Sequence, residues 1–184
     1  MTDSLNQIQQ KPFYKLLLGR TVLPIVTILG IGILYVFLMS MIDHPSFPFH
    51  IIIVTAALGK TIIITMTTLK RLSKLIKICH SLERLLWVFG LIIIISIFSF
   101  ATDYTCLFQF SHTTFEGVPN YSTSYLYNLY HFFYFSVITF STVGYGEIIP
   151  TSDVARFVVM LEIFLSFFLV VFAFANIKKI HINE

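Results

Sequence analysis

Long apolar runs constrain this chain more than any other feature. A helix rises ~1.5 Å per residue and the hydrocarbon core of a bilayer is ~30 Å thick, so about 20 mostly apolar residues are needed to cross it. Residues 22–42, 49–69, 85–108 and 154–177 each meet that requirement. A fifth run, 125–140, is shorter and suits a helix that enters the membrane without crossing it. The chain is 57% hydrophobic and 11% charged, whereas soluble domains carry about 25% charged residues. Most of it is therefore built for lipid, and the expected fold is an all-α membrane protein with four transmembrane helices and one re-entrant helix.

The basic residues set the orientation. Lys11, Lys15 and Arg20 precede the first span, Lys70, Arg71, Lys74, Lys77 and Arg84 join the second to the third, and Lys178 and Lys179 follow the fourth. By the positive-inside rule these regions, and with them both termini, are cytoplasmic. The links 43–48 and 109–152 contain no lysine or arginine and fall on the outer side. Arg156, at the outer end of the fourth span, is the exception. The expected location is a multi-pass protein of the cell (plasma) membrane. A cleaved signal peptide fits the first run poorly, because the run is long and no small-residue cleavage site follows it. The net charge of +3 follows this topology, and no nucleic-acid partner is expected.

The stretch that carries chemistry is Thr142-Val143-Gly144-Tyr145-Gly146, followed by Glu147. It lies just after the short apolar run, between two long spans and on the outer side. Ser122, Thr123 and Ser124 are good N-cap residues for the short helix. Pro150 keeps the chain from becoming helical before the fourth span begins near Asp153.

This five-residue pattern resembles the selectivity filter of the tetrameric potassium channels. The order helix, re-entrant helix, filter, helix is similar to that family's pore module, and the layout is similar to small prokaryotic potassium channels with two extra helices ahead of it. The resemblance implies a potassium-selective channel assembled as a homotetramer, each chain meeting three further copies of itself. K+ is the permeant ion, and no cofactor is implied. Backbone carbonyls of Thr142, Val143, Gly144 and Tyr145, with the Thr142 hydroxyl at the inner end, would replace the water around the ion. Gly144 and Gly146 permit positive φ, which lets successive carbonyls point the same way. Val143 and Tyr145 would pack behind the filter. The carbonyl end of the short helix, with a partial charge of ~−0.5 e, would stabilise a cation in the central cavity.

The domain reading is a cytoplasmic N-terminal segment at 1–20, a two-helix hairpin with a basic linker at 21–84, and the pore module at 85–184. Some positions depart from the family pattern. Glu147 stands where aspartate is usual. Tyr134 and Phe135 stand where tryptophans are common, and both are expected in an aromatic cuff around the filter. Ser166 stands where the inner helix often has a hinge glycine. No span holds the ladder of basic residues that a voltage sensor needs, and no ligand-binding domain is expected after the fourth span.

Two charges fall inside spans at comparable depth, Lys60 and Glu162. Each alone costs ~2.5–3.5 kcal/mol on the insertion scale, so a salt bridge between them is one expectation. The other is that Lys60 faces a water-filled crevice or bonds Thr61, Thr65 or backbone, while Glu162 carries a proton or bonds behind the filter. Residues 70–86 have apolar positions at helical spacing and read as an amphipathic cytoplasmic helix, either a topology determinant or a contact for anionic lipid. The acids Asp43, Asp103, Glu116, Glu147 and Asp153 read as outer-side charges, attracting cations towards the mouth or simply solvated. His44, His50, His112 and His131 are scattered and give no metal spacing, and Cys79 and Cys106 form no disulfide framework. No soluble segment shows the paired carboxylates, activated nucleophile or metal cluster of an enzyme. The competing functions are a weakly selective cation pore or transporter, which would relax the filter, and a nonconducting regulatory subunit.

Overall fold

The computed structural model describes residues 30, 49–72, 82–119 and 124–181. The expected first span at 22–42, the segment 1–20, Ser122, Thr123 and most of the basic linker lie outside the described residues. Four helices dominate: α1 (Phe49–Thr67), which ends in a π-helical turn at Thr68–Leu72, α2 (Leu82–Phe110), α3 (Tyr125–Phe140) and α4 (Asp153–His181). Among the described residues there are also two-residue strands β1 (Phe115–Glu116) and β2 (Ile149–Pro150) and a 3-10 turn at His112–Thr114.

Among the described residues, three helices are long and apolar enough to cross a membrane, over Ile51–Lys70, Phe89–Phe110 and Asp153–Ala175. Their polar side chains are handled as hydrocarbon requires, since no water is present to satisfy a hydroxyl. Thr55, Thr61, Ser96, Thr102 and Thr105 each donate to the carbonyl one turn earlier, at 2.7–2.9 Å. Thr61 is thereby committed to the Ala57 carbonyl and not to Lys60.

The short helix α3 packs chiefly along α2, while α4 lies against α1, α2 and α3. The seam between α2 and α3 is aromatic. Tyr104, fully buried, meets Phe135 edge-on at 5.3 Å and Phe115 at 5.6 Å, and Phe132 meets Phe115 at 4.9 Å and Phe108 at 5.4 Å. Edge-to-face geometry sets the positive ring edge against the negative face of its neighbour. It also fixes how deep α3 sits.

Between α2 and α4 in the chain, β1 and β2 pair antiparallel, with Phe115 opposite Pro150 and Glu116 opposite Ile149. The Thr151 amide donates to the Thr114 carbonyl at 2.9 Å, and the Thr151 hydroxyl donates to the Thr113 carbonyl. Helix α4 then starts at once, because the Ser152 hydroxyl accepts the Ala155 amide at 3.2 Å as an N-cap. Arg156, in the first turn of α4, donates through Nε to the Pro150 carbonyl at 3.2 Å. A strap thus ties the segment after α2 to the chain that leads into α4.

Candidate functional site: the segment 142–147

Ser124 is the N-cap of α3, and its carbonyl accepts the Asn128 amide at 3.2 Å. At the far end the helix does not simply stop. The Ser141 amide bonds the Val137 carbonyl and the Thr142 amide bonds the Thr139 carbonyl, both at 3.0 Å. The Ile138 carbonyl then accepts two further amides, Val143 at 2.9 Å and Gly144 at 3.3 Å. The last carbonyls of a helix have no partner within it. Here Ile138 gains its partners from the segment 142–146, which hangs from the helix end.

The backbone of that segment alternates. Thr142, Gly144 and Gly146 have φ of 59°, 55° and 81°, whereas Val143 and Tyr145 are not among the positive-φ residues. Positive φ at the two glycines is the conformation that glycine tolerates freely. At Thr142, a β-branched residue, it is strained by about 1–3 kcal/mol and was not legible from the side chain. Such an alternation keeps successive carbonyls from pointing to opposite sides as they do in a strand.

The neighbours expected to form the cuff separate. The Tyr134 hydroxyl donates to Glu147 Oε2 at 3.0 Å. Phe135, one residue on, is buried on the α2 side against Tyr104 and Phe115. Val143 and Tyr145 are 50% and 68% exposed in the single chain. Ser166 is buried midway along the unbroken α4, with its hydroxyl on the Ile163 carbonyl at 2.9 Å.

The expected Lys60–Glu162 salt bridge is corrected by the structure. Lys60 Nζ lies 2.6 Å from both carboxylate oxygens of Asp103 and 3.4 Å from the Ser99 carbonyl. Glu162 instead accepts from the Tyr104 hydroxyl at 2.6 Å and is bonded by the Ser136 hydroxyl. Asp103 and Glu162 both lie within helices long and apolar enough to cross a membrane, and it is α2 that presents its acid, Asp103, to Lys60 of α1. Asp103 is correspondingly no mouth acid: it is 0% exposed and paired with a lysine that is 4% exposed.

The strap meets the segment at Gly117. This residue has φ +82°, and a Cβ built there would lie 1.7 Å from the Glu147 carbonyl oxygen. The backbone after β1 thus passes directly over the exit of the 142–147 segment. Gly117, Asp103 and Ser136 were missed as site residues. Of these, only Gly117 carried a signal, as a glycine shortly before a proline in a loop.

A short helix that hands one of its last carbonyls to an alternating-φ loop, flanked by two long apolar helices, is the pore module of an ion channel. Residues 85–182, more than half of the chain, match the ion channel family, and the chain belongs to that family. A stretch of 52 residues, 28% of this chain, is 44% identical to Potassium channel K2 of Plasmodium berghei (strain Anka). The chain spans only 4% of the length of that relative. No solved structure matches the chain.

Proposed function

We propose that this protein is a potassium-selective channel in which four copies of the 142–146 segment surround one axis and coordinate dehydrated K+ through backbone carbonyls. The alternation of φ at Thr142, Gly144 and Gly146 carries this reading. A cation stripped of water needs replacement oxygens at close quarters, and carbonyls that share a side can supply them from each of several chains. Thr142, Val143, Gly144 and Tyr145 are the assigned K+ ligands.

The exposed surfaces of the single chain support the fourfold assembly. Val143 and Tyr145 face outward, and α4 exposes Phe164, Phe167 and Phe174, each 68–69% accessible. Three further copies would cover the residues behind the filter and leave part of the α4 face to line the inner pathway. In this reading 85–184 is the pore module, 21–84 is a two-helix hairpin, with residues 22–42 as the first span, and 1–20 is a cytoplasmic segment. Both termini face the cytoplasm of a plasma-membrane protein, and the basic linker is a candidate contact for anionic lipid. Ser166 would take the place of an inner hinge.

The test is purified protein in planar bilayers with potassium on one side and sodium on the other. A reversal potential near the potassium equilibrium value is expected. Comparable passage of sodium, or silence from a protein that assembles, would reject the reading. A milder outcome is expected for Tyr134→Phe, which loses only the bond to Glu147. The variant should assemble normally and keep its reversal potential, while current declines faster during sustained opening. Steady-state and peak currents from the same patches measure this.

A further inference from the structure

Behind the filter, three helices meet at one carboxyl group. Tyr104 of α2 donates to Glu162 Oε2 at 2.6 Å, and Ser136 of α3 lies against Oε1 of the same residue of α4. Ser136 Oγ is also 2.9 Å from the Ile97 carbonyl of α2. All three side chains are buried, Glu162 completely. A carboxyl group within a membrane helix is costly, and polar side chains at such depth pair or serve a pathway. Glu162 is bonded to hydroxyls, while the nearby lysine is committed to Asp103.

The position of Ser136 matters more than its polarity. It lies two residues before Ile138, whose carbonyl takes the amides of Val143 and Gly144. A shift of α3 at Ser136 therefore moves the point from which the filter hangs. The hydroxyl of Ser136 has one proton but lies against two acceptors, the Ile97 carbonyl and the Glu162 carboxyl. A side chain at position 162 that both donates and accepts would complete the chain from Tyr104 to Ile97.

We propose that Glu162 is a positioning residue for ion selectivity: bonded to Tyr104, it holds Ser136, and through Ser136 the Ile138 carbonyl that anchors the Val143 and Gly144 amides. The link to selectivity rests on the channel reading above; the mechanical link does not. Glu162 touches no permeating ion. It acts through the helix that carries the filter.

The experiment compares full-length wild type with Glu162→Leu, Glu162→Gln and Ser136→Ala. Hydrogen exchange at the Val143 and Gly144 amides is read on assembled protein, and reversal potential is read in bilayers. In Glu162→Leu and Ser136→Ala, exchange at both amides is expected to quicken by roughly tenfold or more. Their reversal potentials move towards zero. Glu162→Gln, which can accept from Tyr104 and donate to Ser136, keeps both readouts close to wild type. A uniformly structural role would not let glutamine rescue both while leucine fails.

Ser136→Ala removes a single oxygen and decides the matter if Glu162→Leu does not assemble. Wild-type exchange and reversal potential in Ser136→Ala would overturn the proposal. So would equal damage from glutamine and leucine, or faster exchange with selectivity unchanged. If the wild type itself proves unselective, the channel reading fails on that control, and the exchange data still test the clamp.

Discussion

Replacing Asp103 with leucine is expected to destabilise the protein by about 3–5 kcal/mol, because it strands the Lys60 ammonium in the membrane interior. Both carboxylate oxygens of Asp103 lie 2.6 Å from Nζ, and the pair is shielded from solvent. Without the carboxylate the lysine keeps neutral acceptors such as the Ser99 carbonyl, at 3.4 Å. Those do not compensate a full charge. The double variant Lys60→Met, Asp103→Leu should recover most of the loss, since an apolar pair of similar size removes both desolvation costs at once. Unfolding in detergent of the wild type, the two single variants and the double variant gives the coupling directly. Additive losses, with no recovery in the double variant, would mean that the pair is not a unit.

Gly117→Ala is expected to prevent correct closure of the outer mouth, with a loss on the order of 4 kcal/mol or more. Two independent effects add. A residue with a Cβ is strained at φ +82°, by roughly 1–2 kcal/mol in the left-handed region. The new methyl would also sit 1.7 Å from the Glu147 carbonyl oxygen. No side-chain rotation relieves a clash with backbone. Either the strap leaves β2 or Glu147 shifts, and the second option distorts the end of the 142–147 segment. The check is the yield of assembled particles on gel filtration together with their thermal midpoint. An alanine variant that assembles in full yield at the wild-type midpoint would show that the strap is dispensable.

The parts of this architecture that follow from one dimension were readable in the sequence. The apolar run at 125–140 became α3 over Tyr125–Phe140, because an N-cap serine at one end and the Thr-Val-Gly-Tyr-Gly turn at the other bound it chemically. Three of the four expected long spans correspond to helices among the described residues, but α2 begins at Leu82 and α4 runs to His181. Hydropathy measures the thickness of lipid, and a helix is free to continue past it. The Lys60 partner was misjudged for a related reason. Counting residues gives depth, and two acids lay at suitable depths on different helices. Asp103, near the end of an apolar run, read as an outer acid; the rotation of α2 that turns it towards α1 is a tertiary fact. Strands of two residues have no periodicity, so the β1–β2 pairing left no trace. Thr142 looked like a side-chain ligand, and nothing in its identity announced a left-handed backbone. The expected first span at 22–42 and the central part of the amphipathic linker lie outside the described residues.

The pairing of Phe115 with Pro150 also orders events in time. Its two halves are separated in the chain by the whole of α3 and the 142–147 segment, so the chain must be translated through Pro150 before they can meet. Until then the emerging turret has no strand to dock on, and the loop closure that brings the two together is a late, non-local step. Closure of the strap is therefore tied to synthesis of the residues just ahead of α4: a nascent chain arrested ahead of Ile149 would hold α3 but no finished strap.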